Sequence, residues 1–400
     1  MEISRDIADM FDAYPDTTII FGENVFAQFE ALMYEARPRK LMLFTGGNSV
    51  RSHAGLQYFY QAFDYLGAEI HSFSGIEPEP QMETVLKMAA ELETFRPDMV
   101  AAMGGGSVMD AAKAAWLIHQ TQNSLPEHFG VNRWSQAHPG EQLKRLICFP
   151  TTSGTGSEVT PYSNIVDQAA GVKKLIVETA SIPEYAFVCP ELTLSMPEAV
   201  IRATACDALA HLIEGFINIG QDDNHPEANK WALAGIRLIV ENLSPRLTAP
   251  RRRGPAEGLA AAATLGGMVI RYKSTGLPHL CSFSWFGQVE HGIAVAMLLP
   301  AAWQYYLASP AVAERTMALR DVFPGATPAE VIGSYRRFIE SCGVPRALKY
   351  IAGFPEGLLE KTALAAAENR MKLELAPHPV PLENSREILT RILRQAWDGV

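Results

Sequence analysis

Short β-rich runs separated by helix-length segments fill the first half of this chain, and past about Leu192 the β signal stops. Runs at 17–21, 40–45, 68–73, 98–103, 146–149 and 163–166 read as strands. Residues 40–45 (Lys-Leu-Met-Leu-Phe-Thr) are apolar almost throughout, as a strand covered on both faces must be. Segments 81–93 and 108–119 have helical length. Strands alternating with helices imply a parallel sheet built from crossovers. Beyond Leu192, Ala- and Leu-rich segments at 197–217, 229–241, 255–272, 293–308, 328–341, 355–368 and 385–397 read as helices punctuated by Gly and Pro. The expectation is an α/β domain with a Rossmann-like parallel sheet over 1–191 and an all-α domain over 192–400. The cleft between them is the default place for a site.

Composition removes several alternatives. A net charge of −10 argues against a nucleic-acid partner, which needs clustered Lys and Arg. The five cysteines are scattered and form no CxxC pair, so reduced thiols and a cytoplasmic location are expected. The N-terminus, starting Met1-Glu-Ile-Ser-Arg-Asp6, lacks the apolar stretch of a secretory signal. The apolar run at 294–303 is too short to cross a bilayer and contains Pro300, so no membrane partner is expected.

Three local patterns carry chemistry. Gly104, Gly105, Gly106 and Ser107 lie between a strand and a helix, where the backbone can approach a phosphate and the helix N-terminus offers N–H groups and a positive dipole end. This suits a dinucleotide pyrophosphate, although it is not GxGxxG, and a tight structural turn would look the same. Residues 150–158 (Pro-Thr-Thr-Ser-Gly-Thr-Gly-Ser-Glu) form a small, hydroxyl-rich loop after another strand. Asp207 and His211 stand four apart in an apolar helix and share one face. With His279 and His291 they make one carboxylate and three imidazoles, a donor set that fits Fe²⁺ or Zn²⁺ and gives no reason to expect Ca²⁺ or Mg²⁺.

Taken in order, 104–113, 150–158, 190–197, Asp207 with His211, His279, and His291 with Gly292 resemble the iron-containing (group III, metal-dependent) alcohol dehydrogenase family, over roughly residues 17–300. The resemblance implies the dehydroquinate synthase-like architecture of that family. It implies that Gly104, Gly105, Gly106 and Ser107 hold the pyrophosphate and that Asp110 lies near the nicotinamide. Thr151, Thr152 and Leu192 would surround the adenosine, and Lys173 would bond a ribose. Asp207, His211, His279 and His291 would hold Fe²⁺, alternatively Zn²⁺, and act catalytically through it. A homodimer is usual among such relatives.

The chain departs from the family pattern in three places. Many members carry an Asp after the strand ending at Thr45, which binds the adenosine ribose and repels a 2′-phosphate; here Gly46 stands there. The pocket should then admit NADP as well as NAD, with Ser49 or Arg51 near the phosphate. A histidine four residues after the third ligand, thought to relay protons in many members, is Phe283 here. Finally, Arg271 and Lys273 precede His279 and would suit an anionic substrate, though helix-end surface cations would read identically. This string is similar to the branch that reduces phosphonoacetaldehyde and so points to phosphonate metabolism.

The expected function is NAD(P)-linked hydride transfer to and from a small, possibly anionic aldehyde, with the metal as Lewis acid. A dehydroquinate synthase-like lyase and a degenerate, metal-free binding protein are the alternatives. The lyases use a Glu and two His as ligands, against the four donors here.

Overall fold

The structure is a computed structural model and describes residues 4–47, 57, 59–61, 67–144 and 146–399; Ser49 and Arg51 lie outside these. Its contacts divide into two units, Met1–Met196 with Arg251–Gly267, and Pro197–Pro250 with Met268–Val400.

The first unit is built on strands β1 (Thr18–Phe21), β2 (Lys40–Thr45), β3 (Glu69–Ser74), β4 (Met99–Gly104), β5 (Gly130–Val131), β6 (Ile147–Pro150), β7 (Tyr162–Asp167), β8 (Val172–Val177) and β9 (Tyr185–Val188). Six of them form one sheet in the order β1-β9-β6-β4-β2-β3, with every pairing parallel. Successive side chains of β2 point to opposite faces, and both faces are covered. Met42 and Phe44 join Val100, Ala102 and Cys148 in a core closed by the helix Met82–Phe95 and by helix α1 (Gly106–Thr121). Leu41 and Leu43 join Ala101, Met103, Ile147 and Phe149 against Val25, Phe29 and Met33 of the helix Val25–Ala36. This double burial is why residues 40–45 read as apolar without alternation. Each fully buried Leu, Met or Phe contributes about 1.5–3 kcal/mol relative to exposure.

The sequence reading misses a second sheet. Residues 163–166 belong not to the parallel sheet but to a three-stranded one, ordered β5-β8-β7, in which β7 and β8 form an antiparallel hairpin. Gly171 takes a positive φ in its turn, and Asp167 Oδ1 accepts the Ala170 N–H at 3.0 Å. Strand β8 (Val-Lys-Lys-Leu-Ile-Val) is mostly apolar but carries Lys173 and Lys174 and is only partly buried. Strand β9 is four residues long, yet it lies between β1 and β6.

The second unit is helical. Helix α2 (Glu198–Ile217) is buried on nearly every side from Cys206 onward, as an Ala- and Leu-rich helix without a polar stripe should be. Helices α3 (Ala228–Thr248), α4 (Arg253–Tyr272), α5 (Leu277–Ser282) and α6 (His291–Tyr306) follow. Glycines permit close helix contact. A Cβ on Gly235 would enter Leu212, one on Gly215 would enter Val269, and one on Gly292 would strike the carbonyl of Ala203.

Helix α4 contributes Arg253–Gly267 to the first unit. There Thr264 Oγ1 donates to Glu158 Oε1 at 2.9 Å, and a Cβ on Gly267 would lie 2.6 Å from the Gly156 carbonyl oxygen. No helix of the described residues is long and apolar enough to cross a membrane.

Candidate metal centre and nucleotide turn

Helix α2 places Asp207 and His211 one turn apart on a single face. His279 comes from α5, and His291 is the first residue of α6. Asp207 Oδ1 lies 3.6 Å from His211 Nε2, 3.5 Å from His279 Nε2 and 3.5 Å from His291 Nε2. The ligand atoms of Asp207, His211 and His279 all fall within 4.8 Å of one another, and these three residues are buried. Bonds of about 2.0–2.2 Å to one tetrahedral ion would set neighbouring donors roughly 3.3–3.6 Å apart. The spacings are longer than hydrogen bonds but suited to such an ion.

The polar bookkeeping agrees. Asp207 Oδ1 and His279 Nε2 are fully buried and make no hydrogen bond. Leaving such a group unsatisfied costs about 1–3 kcal/mol. Burial alone would push the Asp207 carboxyl up, yet His211, His291 and His279 together hold it well below the ordinary carboxylate range. Burial also opposes charge on His279, but Glu214 and Asp207 raise it to about 9. Both directions describe a pocket that stabilises positive charge beside Asp207. One carboxylate and three imidazoles match the preference of Fe²⁺ or Zn²⁺.

In the first unit, β4 ends at Gly104, Gly105 is the N-cap and α1 starts at Gly106. None of these glycines has a positive φ. What they need is space: a Cβ on Gly104 would enter Val108, one on Gly105 would lie 3.2 Å from Thr152, and one on Gly106 would lie 2.6 Å from Thr155. The loop after β6 is thus packed onto the turn, and Thr151 N donates to the Gly104 carbonyl at 2.9 Å. Gly46, just past β2, also faces Val108, at 3.4 Å from its missing Cβ. Gly46, Gly104, Gly105, Gly106, Ser107, Thr151 and Thr152 therefore gather at the carboxyl ends of three neighbouring strands, where parallel sheets bind ligands. The first-turn N–H groups of α1 have no acceptor inside the helix.

Other residues expected at the nucleotide have partners of their own. Asp110 accepts from Ser157 Oγ at 2.5 Å and from the Asn164 N–H at 2.9 Å. Lys173 pairs with Glu79 Oε1 at 2.7 Å, and the Ser107 hydroxyl oxygen accepts the Glu79 N–H at 3.1 Å. Leu192 is part of the core around Phe149 and Phe187.

Against known proteins, residues 16–190 match the family model for iron-containing alcohol dehydrogenase, and residues 201–397 match that for the C-terminal part of the Fe-containing alcohol dehydrogenase family. The chain belongs to the iron-containing alcohol dehydrogenase family. Similar proteins include an alcohol dehydrogenase of Thermococcus barophilus, 28% identical over 84% of this chain and 87% of its own length. An aldehyde-alcohol dehydrogenase 2 of Entamoeba histolytica is 30% identical over 76% of this chain, which spans 37% of that longer protein. The solved alcohol dehydrogenase from Oenococcus oeni has the same fold, with a TM-score of 0.85, 22% identity, and coverage of 96% of this chain and 98% of that one. Family membership makes this chain an oxidoreductase, with iron and a nicotinamide nucleotide as the implied cofactors.

In this iron-containing dehydrogenase the expected substrate cations fare unequally. Lys273 is corrected. Its side chain is fully buried, and Nζ donates to Asp222 Oδ1 at 2.6 Å and Asn229 Oδ1 at 2.7 Å. Arg315 closes that cluster, 2.5 Å from Asp222 Oδ2. Lys273 has no reach to spare for a substrate anion. Arg271 lies over the Tyr272 ring at 5.0 Å. Phe283 is stacked on His291, with centroids 6.2 Å apart and planes 11° from parallel.

Sequence reasoning also missed two residues that touch the histidines. Glu214 Oε1 is 2.5 Å from His279 Nδ1, and Ser282 Oγ is 3.2 Å from His291 Nδ1. Glu214 follows Asp207 by seven residues, on the same helix face, and is acidic within an apolar run; that was a readable signal. Ser282 offered none.

Proposed function

We propose that this family member interconverts a small aldehyde and its primary alcohol, with a divalent cation held by Asp207, His211, His279 and His291. One observation carries the reading: three imidazole nitrogens surround a single buried carboxylate oxygen at 3.5–3.6 Å with no hydrogen bond to satisfy it. The bound cation would supply Lewis-acid polarisation of the substrate oxygen, and the nicotinamide would supply or accept the hydride. The protein's own part is to hold the donors, to seat the pyrophosphate on the Gly104–Gly106 turn, and to shield one face of His291 with Phe283. Phe283 cannot carry a proton, so the alcohol proton must travel through water, a ribose hydroxyl or another side chain.

Three finer points belong to the same proposal. Gly46 places no charge where a 2′-phosphate would lie, which favours use of NADPH alongside NADH. Arg271 now stands alone as the cation proposed for an anionic aldehyde of the phosphonoacetaldehyde type. The working form is proposed to be a cytoplasmic homodimer.

The experiment is a coupled measurement. Purified protein loaded with Fe²⁺ or Zn²⁺ is assayed for NADPH and NADH oxidation against aldehydes that differ only in their anionic group. Chelation should abolish turnover, and Arg271→Ala should raise KM for charged aldehydes alone. Equal loss on neutral and charged aldehydes would remove the anion reading. Absence of bound metal by elemental analysis would favour a metal-free binding protein instead. The ligand set of one Asp and three His weighs against a lyase.

A further inference from the structure

The four candidate ligands explain where a cation would sit but not what aims them. Glu214 is 2% exposed and lies on the same face of α2 as Asp207 and His211. Its two oxygens face two donors. Oε2 accepts the Gly276 N–H at 2.7 Å, and Oε1 lies 2.5 Å from His279 Nδ1. Gly276 is the N-cap of α5, the helix that carries His279. The next amide, of Leu277, donates to the Tyr306 hydroxyl at 2.8 Å, and a Cβ on Gly276 would lie 2.6 Å from that oxygen. The start of α5 is therefore fixed by α2 on one side and α6 on the other.

We propose that Glu214 is the positioning residue of the metal centre. With a cation bound, its carboxylate would hold His279 as the Nδ1–H tautomer, leaving the Nε2 lone pair on the Asp207 side, and it pins the turn that delivers this ring. Only a carboxylate does both, because it accepts on each oxygen while an amide accepts on one. Ser282 aligns His291 in the same sense. Its hydroxyl proton goes to the His279 carbonyl at 2.8 Å, so its oxygen receives the His291 Nδ1–H. Partners of this kind fix ring orientation and raise ligand basicity. The inference rests on the metal reading above.

The test is zinc binding at 25 °C, measured by chelator competition on metal-free wild type and on Glu214→Gln, with circular dichroism on both. Wild type should bind one equivalent. Glu214→Gln should keep its helical spectrum and bind about tenfold to a hundredfold more weakly. A purely structural role would lower the melting midpoint and leave this affinity unchanged, and that result would overturn the proposal. Failure of the wild type to bind zinc would instead overturn the metal reading beneath it. If Glu214→Gln does not fold, NMR of zinc-loaded wild type labelled at histidine decides. A proton on His279 Nδ1 supports the proposal, and a proton on Nε2 overturns it.

Discussion

Lys113 with Asp110 and Glu158 in the first unit, and Asp207 with His211 and His279 in the second, are buried clusters of ionisable groups, and the two are finished differently. In the first unit Lys113 is fully buried, and its ammonium donates to the carbonyls of Ser157 and Thr160 at 3.0 and 3.1 Å, with Asp110 Oδ1 at 3.6 Å. Asp110 is bonded by Ser157 and Asn164, and Glu158 by Thr264. Burial pushes the Lys113 ammonium down and the Glu158 carboxyl up, and every donor named finds an acceptor. In the second unit Asp207 Oδ1 and His279 Nε2 are equally buried and have no hydrogen bond. A closed cluster of this kind braces loop against helix. An open one lacks something the protein does not supply. Burial and charge alone do not separate a brace from a site; the unfilled hydrogen-bond capacity does.

Breaking the open cluster should have the largest effect on activity and little on folding. His279→Ala is expected to lower aldehyde reduction at least about a thousandfold and to abolish stoichiometric metal, while circular dichroism stays that of wild type. Activity that survives with metal-free protein would erase the distinction drawn here.

Breaking the closed cluster should do the reverse. Lys113→Met leaves the buried carbonyls of Ser157 and Thr160 without their donor, and such a loss costs about 1–3 kcal/mol. The urea midpoint should fall accordingly, and the metal content of whatever remains folded should match wild type. A midpoint equal to that of wild type would show that the cluster is not a brace.

A smaller change sharpens how the open cluster is held. Gly292→Ala drives a Cβ into the Ala203 carbonyl and against Asp207 Cβ. Backbone cannot swing aside as a side chain can, so α6 must shift against α2, at about 1–3 kcal/mol. Isothermal titration with Zn²⁺ should show weaker binding than wild type, without loss of the one-to-one stoichiometry.

The smallest effect belongs to the Lys273 cluster. Partial burial would raise the Asp222 carboxyl, but hydrogen bonds from Arg315 and Lys273 hold it well below the ordinary range. A carboxyl whose folded pKa is depressed stabilises the fold fully above its unfolded value of about 3.9 and loses that stabilisation as pH falls further. Urea midpoints of wild type should therefore decline below about pH 4 more steeply than those of Asp222→Asn. Parallel curves would mean that the ion pair contributes nothing to the unit.

Much of this was legible in the sequence because the signals were strong and local. The run Leu41–Phe44 is buried on both faces, as a short apolar run in a central strand is, and its limits were read correctly at Lys40 and Thr45. The spacing of Asp207 and His211 announced a shared helix face. What failed was long-range pairing. Val172–Val177 pairs with Tyr162–Asp167, and although Val172, Ile176 and Val177 are good strand formers, the two lysines between them break the alternation that would have marked it as β. Lys273 looked like a helix-end cation because its partners, Asp222, Asn229 and Arg315, are dozens of residues away. The glycine turn was found for an incomplete reason: Gly104 and Gly106 are also demanded by Val108 and Thr155.

Phe283 has a bearing on how the protein comes by its ion. Side-chain exposure is 5–7% for Asp207, His211 and His279 but 29% for His291, so of these four side chains that ring is the one solvent reaches most. The Phe283 ring runs nearly parallel to it, with centroids 6.2 Å apart. A cation proposed for this centre would therefore be met from solvent first by His291, beside Phe283.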